Sequence, residues 1–550
     1  MTPTSIESIK GGGWCRCQST ATKSFYWKIL AGFTFVSFFL SYTVYTSQIR
    51  GPGSYAISSF PGKESIQGTS KNSKPRAPSD TWITPALKSL SPRQNPSKNE
   101  IPTFNPRLPS EFFNTLSGHY VQTIVNCSAV LSGNQTETKR AEQIAKQLAE
   151  EERSAGESFN TPQRKEHYNT LSETVLKLST KSLSQDFARL TTQWYLNATK
   201  DCAWFKQTRG YITSSLTQEE EEFPIAFSML VFKDLEMVER LLRMVYRPQN
   251  YYCIHVDSKS PPDFYAAVKS LAACFPHSVR MSSRRVDVQW GTFTVLEPEL
   301  ICMQDLWEVD QNTTSSRDTA GSQPDSSQRS SSGGNRSKWK YFINLTGQEF
   351  PLKTNYEIVQ ILKAFNGANS EEGTIKRANR HRWKTSPPHG IVPVKGGVHT
   401  VLNRFTIDYI LHNDTARDFI EWLKTTSIPD ETFFASLNYN PQLGIPGTYN
   451  GESMETVPTL ARYKMWYGHN CHSGQTVRAI CILSTGDLPR LGRAPELFAN
   501  KFYLHQDRVV IGCLEEMLFN NTRDETLGTK AFKTTFYENQ DFVKNQVPIH

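Results

Sequence analysis

The ten residues FPIAFSMLVF, Phe223 to Phe232, form an unbroken apolar run of strand length. A strand with no polar face is buried on both sides, which in a globular domain means a sheet covered by helices. The residues that follow, DLEMVERLLRMVY, place Leu235, Val238, Leu241, Leu242 and Val245 on one helical face, and YYCIHVD, Tyr251 to Asp257, supplies a second strand ending in an acid. This order predicts a β-α-β unit with parallel strands and a right-handed crossover. PDFYAAVKSLAACF repeats the helical pattern and KYFINLTG adds a later strand, so the class is α/β with a mixed, mainly parallel sheet. Ligands of such sheets sit beyond the carboxyl ends of the strands, where Asp257 falls. Read locally, Asp257 is as well suited to a turn or helix cap.

The chain around this unit divides by texture. Ile29 to Thr46 is an 18-residue uncharged run long enough to cross a bilayer, with Tyr26, Trp27 and Tyr45 at its edges. Lys10, Arg16, Lys23 and Lys28 precede it against Glu7 alone, which predicts a cytoplasmic tail (1–28), a signal-anchor (29–46) and everything later on the far side. Residues 47–121 read as a flexible stem: between Gly51 and Ser110 there are ten prolines, eleven serines and eight Lys/Arg against three Asp/Glu. That composition cannot bury a core. Because excess positive charge collects in this stem, the net charge of +8 does not indicate a nucleic-acid partner. Residues 122–222 read as a helical region ahead of the core, and 223–550 as the main domain. That domain is interrupted at 311–337 by a segment with nine serines and no large apolar residue, expected to be a disordered loop.

Eight cysteines follow the anchor: Cys127, Cys202, Cys253, Cys274, Cys302, Cys471, Cys481 and Cys513. An even set in an oxidising compartment suggests four disulfides, with pairing left open by sequence. Sequons begin at Asn126, Asn134, Asn197, Asn312, Asn335, Asn344, Asn413 and Asn520, the serine-rich ones at 312 and 335 being the weaker candidates. The chain has no Gly-rich phosphate loop, no zinc-type cysteine spacing and no D-x-D sequence.

In SIPDETFFASL, Ser427 to Leu437, two acids follow a proline. Ser427 is suited to cap a helix, Pro429 to its first turn, and acids to the positive helix end, so Asp430 and Glu431 have a plain structural reading. The alternative is that one carboxylate on a rigid turn is a general base facing a cleft.

FPIAFSMLVFKDLEMVERLLRMVYRPQNYYCIHVDSKS, ICMQDL, KYFINLTGQEFPLKTNYEIV, SIPDETFFASL, QTVRAICILSTGDL and LFANKFYL, in this order, resemble the core 2 β-1,6-N-acetylglucosaminyltransferase family, glycosyltransferase family 14. The resemblance implies a GT-A-like domain on a single-pass type II Golgi membrane anchor. It implies inverting transfer of GlcNAc from UDP-GlcNAc to O-glycan acceptors on glycoproteins, without a metal cofactor. Glu431 would be the general base. Asp257, Arg478 and Lys501 would bind the donor, the last two standing where the family uses a basic pair in place of metal to receive the diphosphate charge. Glu371, Arg382, Trp383, Trp466 and Tyr467 would meet the acceptor, although Asn379 replaces a basic residue and the tyrosine comes one place early. Family pairing would join Cys127 to Cys513, Cys202 to Cys274, Cys253 to Cys302 and Cys471 to Cys481. A homodimer is compatible with this reading. I-branching of poly-lactosamine and protein O-xylosylation are the same-family alternatives, and a tethered glycan-binding protein without activity is the alternative from another class.

Overall fold

A computed structural model of the protein describes residues 110–158, 189–315, 338–374, 379–452 and 457–549. The tail, the apolar run 29–46, most of the stem and the serine-rich segment from 316 onward lie outside the described residues, as do Asn335 and the side chain of Asn312. Among the described residues no helix is long and apolar enough to cross a membrane.

The core is a six-stranded sheet. Its strands are β1 (Ile225–Val231), β2 (Tyr251–Val256), β3 (Val279–Met281), β4 (Tyr341–Thr346), β6 (Ser370–Thr374) and β7 (Lys395–Asn403); β5 is Glu349–Pro351 and lies elsewhere. The order is β3-β2-β1-β4-β7-β6, with β3, β2, β1 and β4 mutually parallel and β7 antiparallel to both β4 and β6. The sheet is therefore mixed and mainly parallel. Because β7 runs opposite to its neighbours, its first residue, Lys395, lies opposite Thr374 at the same edge as the carboxyl ends of β1, β2 and β4. Five loops thus converge on one edge.

The expected β-α-β unit is present, and Leu235, Val238, Leu241, Leu242 and Val245 are all buried. The helix Leu235–Val245 is also covered on its polar face, which sequence periodicity alone would leave in water. Arg240 donates to both carboxylate oxygens of Glu515 at 2.9 and 2.7 Å, Arg243 adds a 2.6 Å bond to Glu515, and Arg209 pairs with Glu239 at 2.7 Å. Burial opposes ionisation of Glu515, yet the flanking Arg240 and Arg243 bring its pKa down to about 2. The pre-core region and the helix Arg508–Thr526 supply the cover, and the Cys127–Cys513 bond ties them together. The other bonds are Cys202–Cys274, Cys253–Cys302 and Cys471–Cys481, the same pairs that the resemblance implies.

Two expectations change. The helix Glu297–Ser315 runs five residues into the segment that composition assigns to a loop, since Gln, Asn and Thr extend an established helix at small cost. Asn344 is not an available glycosylation site: it is buried in β4, where its amide donates to Glu299 at 3.1 Å and to the Val398 carbonyl at 2.6 Å. Asn126, Asn134, Asn197 and Asn413 are exposed, and Asn520 is partly exposed.

Candidate active site

The acidic turn is built differently from the helix start that its sequence suggests. Ser427 caps nothing; its N–H donates to the Arg382 carbonyl at 3.2 Å. Ile428 takes a left-handed conformation (φ 51°, ψ 60°) and donates to the Gly291 carbonyl at 2.9 Å, and Pro429–Glu431 form a single 3-10 turn before the helix Phe433–Asn438. A β-branched residue at positive φ is costly, and such strain persists where surrounding contacts over-determine it. Here it turns the two acids to opposite environments.

Asp430 points inward and is buried; burial, reinforced by the adjacent Glu431 charge, pushes its pKa up to about 7. It does not serve as an exposed acid at a helix end. Glu431 keeps 27% of its side chain exposed, accepts a 2.7 Å bond from Arg382, and lies 4.0 Å from the Lys395 ammonium. Trp383 donates its indole N–H to the Thr432 hydroxyl at 3.2 Å, which fixes the Arg382–Trp383 segment against the turn. Glu431, Arg382 and Trp383 are therefore one cluster.

A second cluster is cationic. Arg478 occupies the two-residue turn between the short strands Thr476–Val477 and Ile480–Cys481, where Arg478 and Ala479 both have positive φ (52° and 60°). Two successive positive φ values mark the turn type that matches hairpin twist, normally built from Asn and Gly. An Arg-Ala pair holds it because Cys471–Cys481 and the backbone bond from Tyr467 N–H to the Ala479 carbonyl (2.7 Å) clamp the hairpin. Lys501 follows the strand Phe498–Asn500, and its ammonium lies 3.5 Å from the Val477 carbonyl of that hairpin. Burial lowers the Lys501 pKa, and the nearby Arg478 and Lys233 charges lower it further. Neither Arg478 nor Lys501 forms an ion pair among the described residues. Glu349, the nearby acid, is committed to Arg462 at 2.8 Å and His399 at 2.6 Å. Converging cations without a carboxylate make an anion site.

Asp257 sits at the end of β2, accepting the Lys259 N–H at 2.9 Å. Its own carbonyl and that of the preceding Val256 accept from Arg285, whose guanidinium lies 4.2 Å from the centre of the Tyr265 ring.

The acceptor candidates divide. Trp466 and Tyr467 are 43% and 78% exposed, and Trp466 pairs across to Ile480 beside the Arg478 turn. Glu371 is buried on β6 opposite Thr400, and burial pushes its carboxyl well above the usual range. The next residue, Glu372, lies where the register of β6 against β7 shifts, is partly exposed, and pairs with Lys464 at 2.9 Å. Burial acts to raise the Glu372 pKa, but Lys464 holds it below the usual range. Lys464 in turn lies 5.7 Å from the Trp466 ring.

Sequence reasoning also missed Lys395, Lys464 and Trp290; an exposed Trp or a strand-end Lys carries no motif. Trp290 is 60% exposed, lies under the Arg478 guanidinium at 5.2 Å, and precedes Gly291, the partner of Ile428. Among the described residues no group of three or more His, Cys, Asp or Glu is placed to hold a metal ion.

A mixed α/β sheet thus carries a partly exposed carboxylate turn and a pair of cations in linked loops, and comparison with known proteins specifies the family. The model of the core-2/I-branching enzyme family matches residues 225–314 and 335–492. The chain is 34% identical over 377 residues to a β-1,3-galactosyl-O-glycosyl-glycoprotein β-1,6-N-acetylglucosaminyltransferase of Bos taurus, covering 62% of this chain and 82% of that one. It is also 37% identical over 357 residues to the enzyme of that name numbered 3 in Bos taurus, and 35% identical over 360 residues to its Homo sapiens counterpart, each time covering 60% of this chain and 75% of the relative. The chain belongs to the core-2/I-branching enzyme family.

Proposed function

We propose that this protein is an inverting β-1,6-N-acetylglucosaminyltransferase that moves GlcNAc from UDP-GlcNAc to the GalNAc of Galβ1,3GalNAc O-glycans on glycoproteins. The names of its relatives support the reaction, and the observation that supports its mechanism is the run of contacts from Arg478 to Trp290 and from Gly291 to Ile428, which links the cationic hairpin to the turn carrying Glu431. Glu431 accepts the proton of the acceptor 6-hydroxyl while that oxygen attacks C1 of the donor sugar. The C1–phosphate bond breaks on the opposite face, and the departing UDP keeps the electron pair. Arg382 and Lys395 orient the Glu431 carboxylate, and general-base catalysis of this kind contributes about 10²–10⁴ in rate. Arg478 and Lys501 take the developing diphosphate charge; charge-assisted hydrogen bonds worth about 1.5–3 kcal/mol each let them act without a divalent ion. Asp257, at the end of β2, is suited to the nucleoside. Trp466 and Tyr467 offer aromatic faces to the acceptor sugars, with Glu372 and Lys464 supplying hydrogen bonds.

In this reading residues 29–46 anchor the chain in the Golgi membrane and place the domain in the lumen, where its disulfides form. The test uses the full-length chain in detergent with UDP-GlcNAc and Galβ1,3GalNAc, with and without EDTA, beside Glu431→Gln. Transfer that persists in EDTA and drops at least about a hundredfold in the variant is expected. Transfer only to poly-lactosamine would reassign the acceptor, and EDTA-sensitive transfer would remove the metal-free role of the cations.

A further inference from the structure

Trp290 is a large apolar side chain held in solvent by a loop that is anything but loose. At one end of that loop, Val286 donates its N–H to His255 Nε2 at 2.9 Å and accepts from Ser258 at 2.9 Å, while Arg285 donates to the Val256 and Asp257 carbonyls at 3.1 and 2.7 Å. The Lys259 ammonium donates to the Val288 carbonyl in the middle. At the other end Gly291, at φ +83°, receives the Ile428 N–H and lets the chain pass against the Ile428 side chain at 3.9 Å from where a Cβ would stand. One loop therefore ties the end of β2 to the strained turn that carries Glu431. Between these two anchor points it presents the Trp290 ring, with the Arg478 guanidinium 5.2 Å from its centroid.

Resting on the functional reading above, we propose that Trp290 is the surface on which the transferred N-acetylhexosamine ring of the donor packs. The argument is positional. Arg478 belongs to the diphosphate and Glu431 to the acceptor hydroxyl, and the only part of the reacting pair that lies between diphosphate and attacking oxygen is the sugar being transferred. Trp290 touches the first of these groups and is one residue from the contact that positions the second. An indole face complements the apolar C–H face of a pyranose, and a fastened ring loses little conformational entropy when the sugar settles on it. Arg478 over the indole also gives the guanidinium a cation–π partner that keeps it at the cleft before diphosphate binds.

Trp290→Ala and Trp290→Phe in the full-length protein test this against two simpler roles. The affinities for UDP and for UDP-GlcNAc are measured by calorimetry, and steady-state KM and kcat are measured for donor and acceptor separately. The expected result is that Trp290→Ala leaves UDP affinity within about twofold and lowers the ratio of UDP-GlcNAc to UDP affinity by about five- to tenfold, with Phe recovering part of the loss. Equal loss of both affinities would overturn the proposal by showing that Trp290 only supports Arg478. A change confined to acceptor KM would overturn it in favour of an acceptor contact, and unchanged constants would overturn it outright. The Phe variant provides the same comparison if the Ala variant fails to fold. Absence of UDP-GlcNAc transfer in the wild-type protein refutes the functional reading instead, and is read before either variant is made.

Discussion

Replacing Asp430 by Asn should stabilise the protein in a manner that depends on pH in one direction only. In the folded chain burial and the Glu431 charge hold the Asp430 carboxyl at about 7, against an ordinary value of 3.8. The folded state therefore binds this proton more firmly than the unfolded chain does. By linkage, wild-type stability falls as pH climbs from about 4 to about 7 and then levels off, because above that point both states are ionised and only the folded one bears the cost. At about 1.4 kcal/mol for each pH unit between the two values, the plateau penalty is on the order of 4 kcal/mol. Asn has the shape of the protonated acid and keeps a carbonyl to accept the local backbone N–H bonds. The variant should match wild type near pH 4 and exceed it increasingly up to about pH 7.5, by several degrees in Tm. The assay is thermal unfolding of both proteins at half-unit pH steps. A Tm difference that stays flat with pH, or that shrinks as pH rises, would refute a buried, protonation-dependent Asp430. Glu431→Gln supplies an internal check: it removes the charge that is the second cause of the shift, so it should raise Tm at pH 7.5 while it abolishes transfer, the trade expected where a site stores electrostatic cost.

Other residues make separable predictions. Arg478→Met and Lys501→Met should each weaken UDP binding by about 10- to 100-fold, measured by calorimetry at fixed ionic strength, since each removes one charge-assisted contact. Glu372→Gln should raise the acceptor KM several-fold, whereas Glu371→Gln, which replaces a carboxyl that burial keeps well above its usual pKa, should leave acceptor KM within about twofold. Peptide mapping should find Asn344 without glycan, and Asn344→Ala should cost about 1–3 kcal/mol in urea unfolding because Glu299 and the Val398 carbonyl lose a buried donor.

The parts of the fold that could be read from sequence are those in which one periodicity determines the outcome. FPIAFSMLVF and YYCIHVD became adjacent parallel strands because an all-apolar run of that length has few other ways to bury itself. The helix between them was legible on its apolar face and not on the other. Arg240, Arg243 and Glu239 look like solvated charges until Glu515 and Arg209, 275 and 30 residues from their partners, arrive to neutralise them. Long-range compensation leaves no local trace. Asn344 is a different case, in which two local signals conflict: N-L-T forms a sequon and KYFINLTG a central strand, and the strand prevails because neighbours on both sides leave no room for a glycan.

The site was legible as a set of residue types and much less as directions. Glu371 and Glu372 are equivalent to any reading that counts acids in a block, but Glu371 is buried and Glu372 reaches Lys464, a difference set by the irregular register of β6 against β7. Asp430 and Glu431 pose the same choice on a turn, settled by Ile428 in a left-handed conformation that nothing in its side chain favours. Arg478 occupies a turn for which Asn and Gly are the usual residues, and its identity therefore argues against the very geometry it adopts. In each case a local preference was overridden at the edge of the cleft by bonds from elsewhere: Gly291 to Ile428, Tyr467 and Cys471 to the Arg478 hairpin. Backbone cost is met where loops hold a carboxylate, a guanidinium and an ammonium in fixed relation. Strain of this kind sits in the segments where propensity rules fail, Ile428 and the Arg478–Ala479 turn among them.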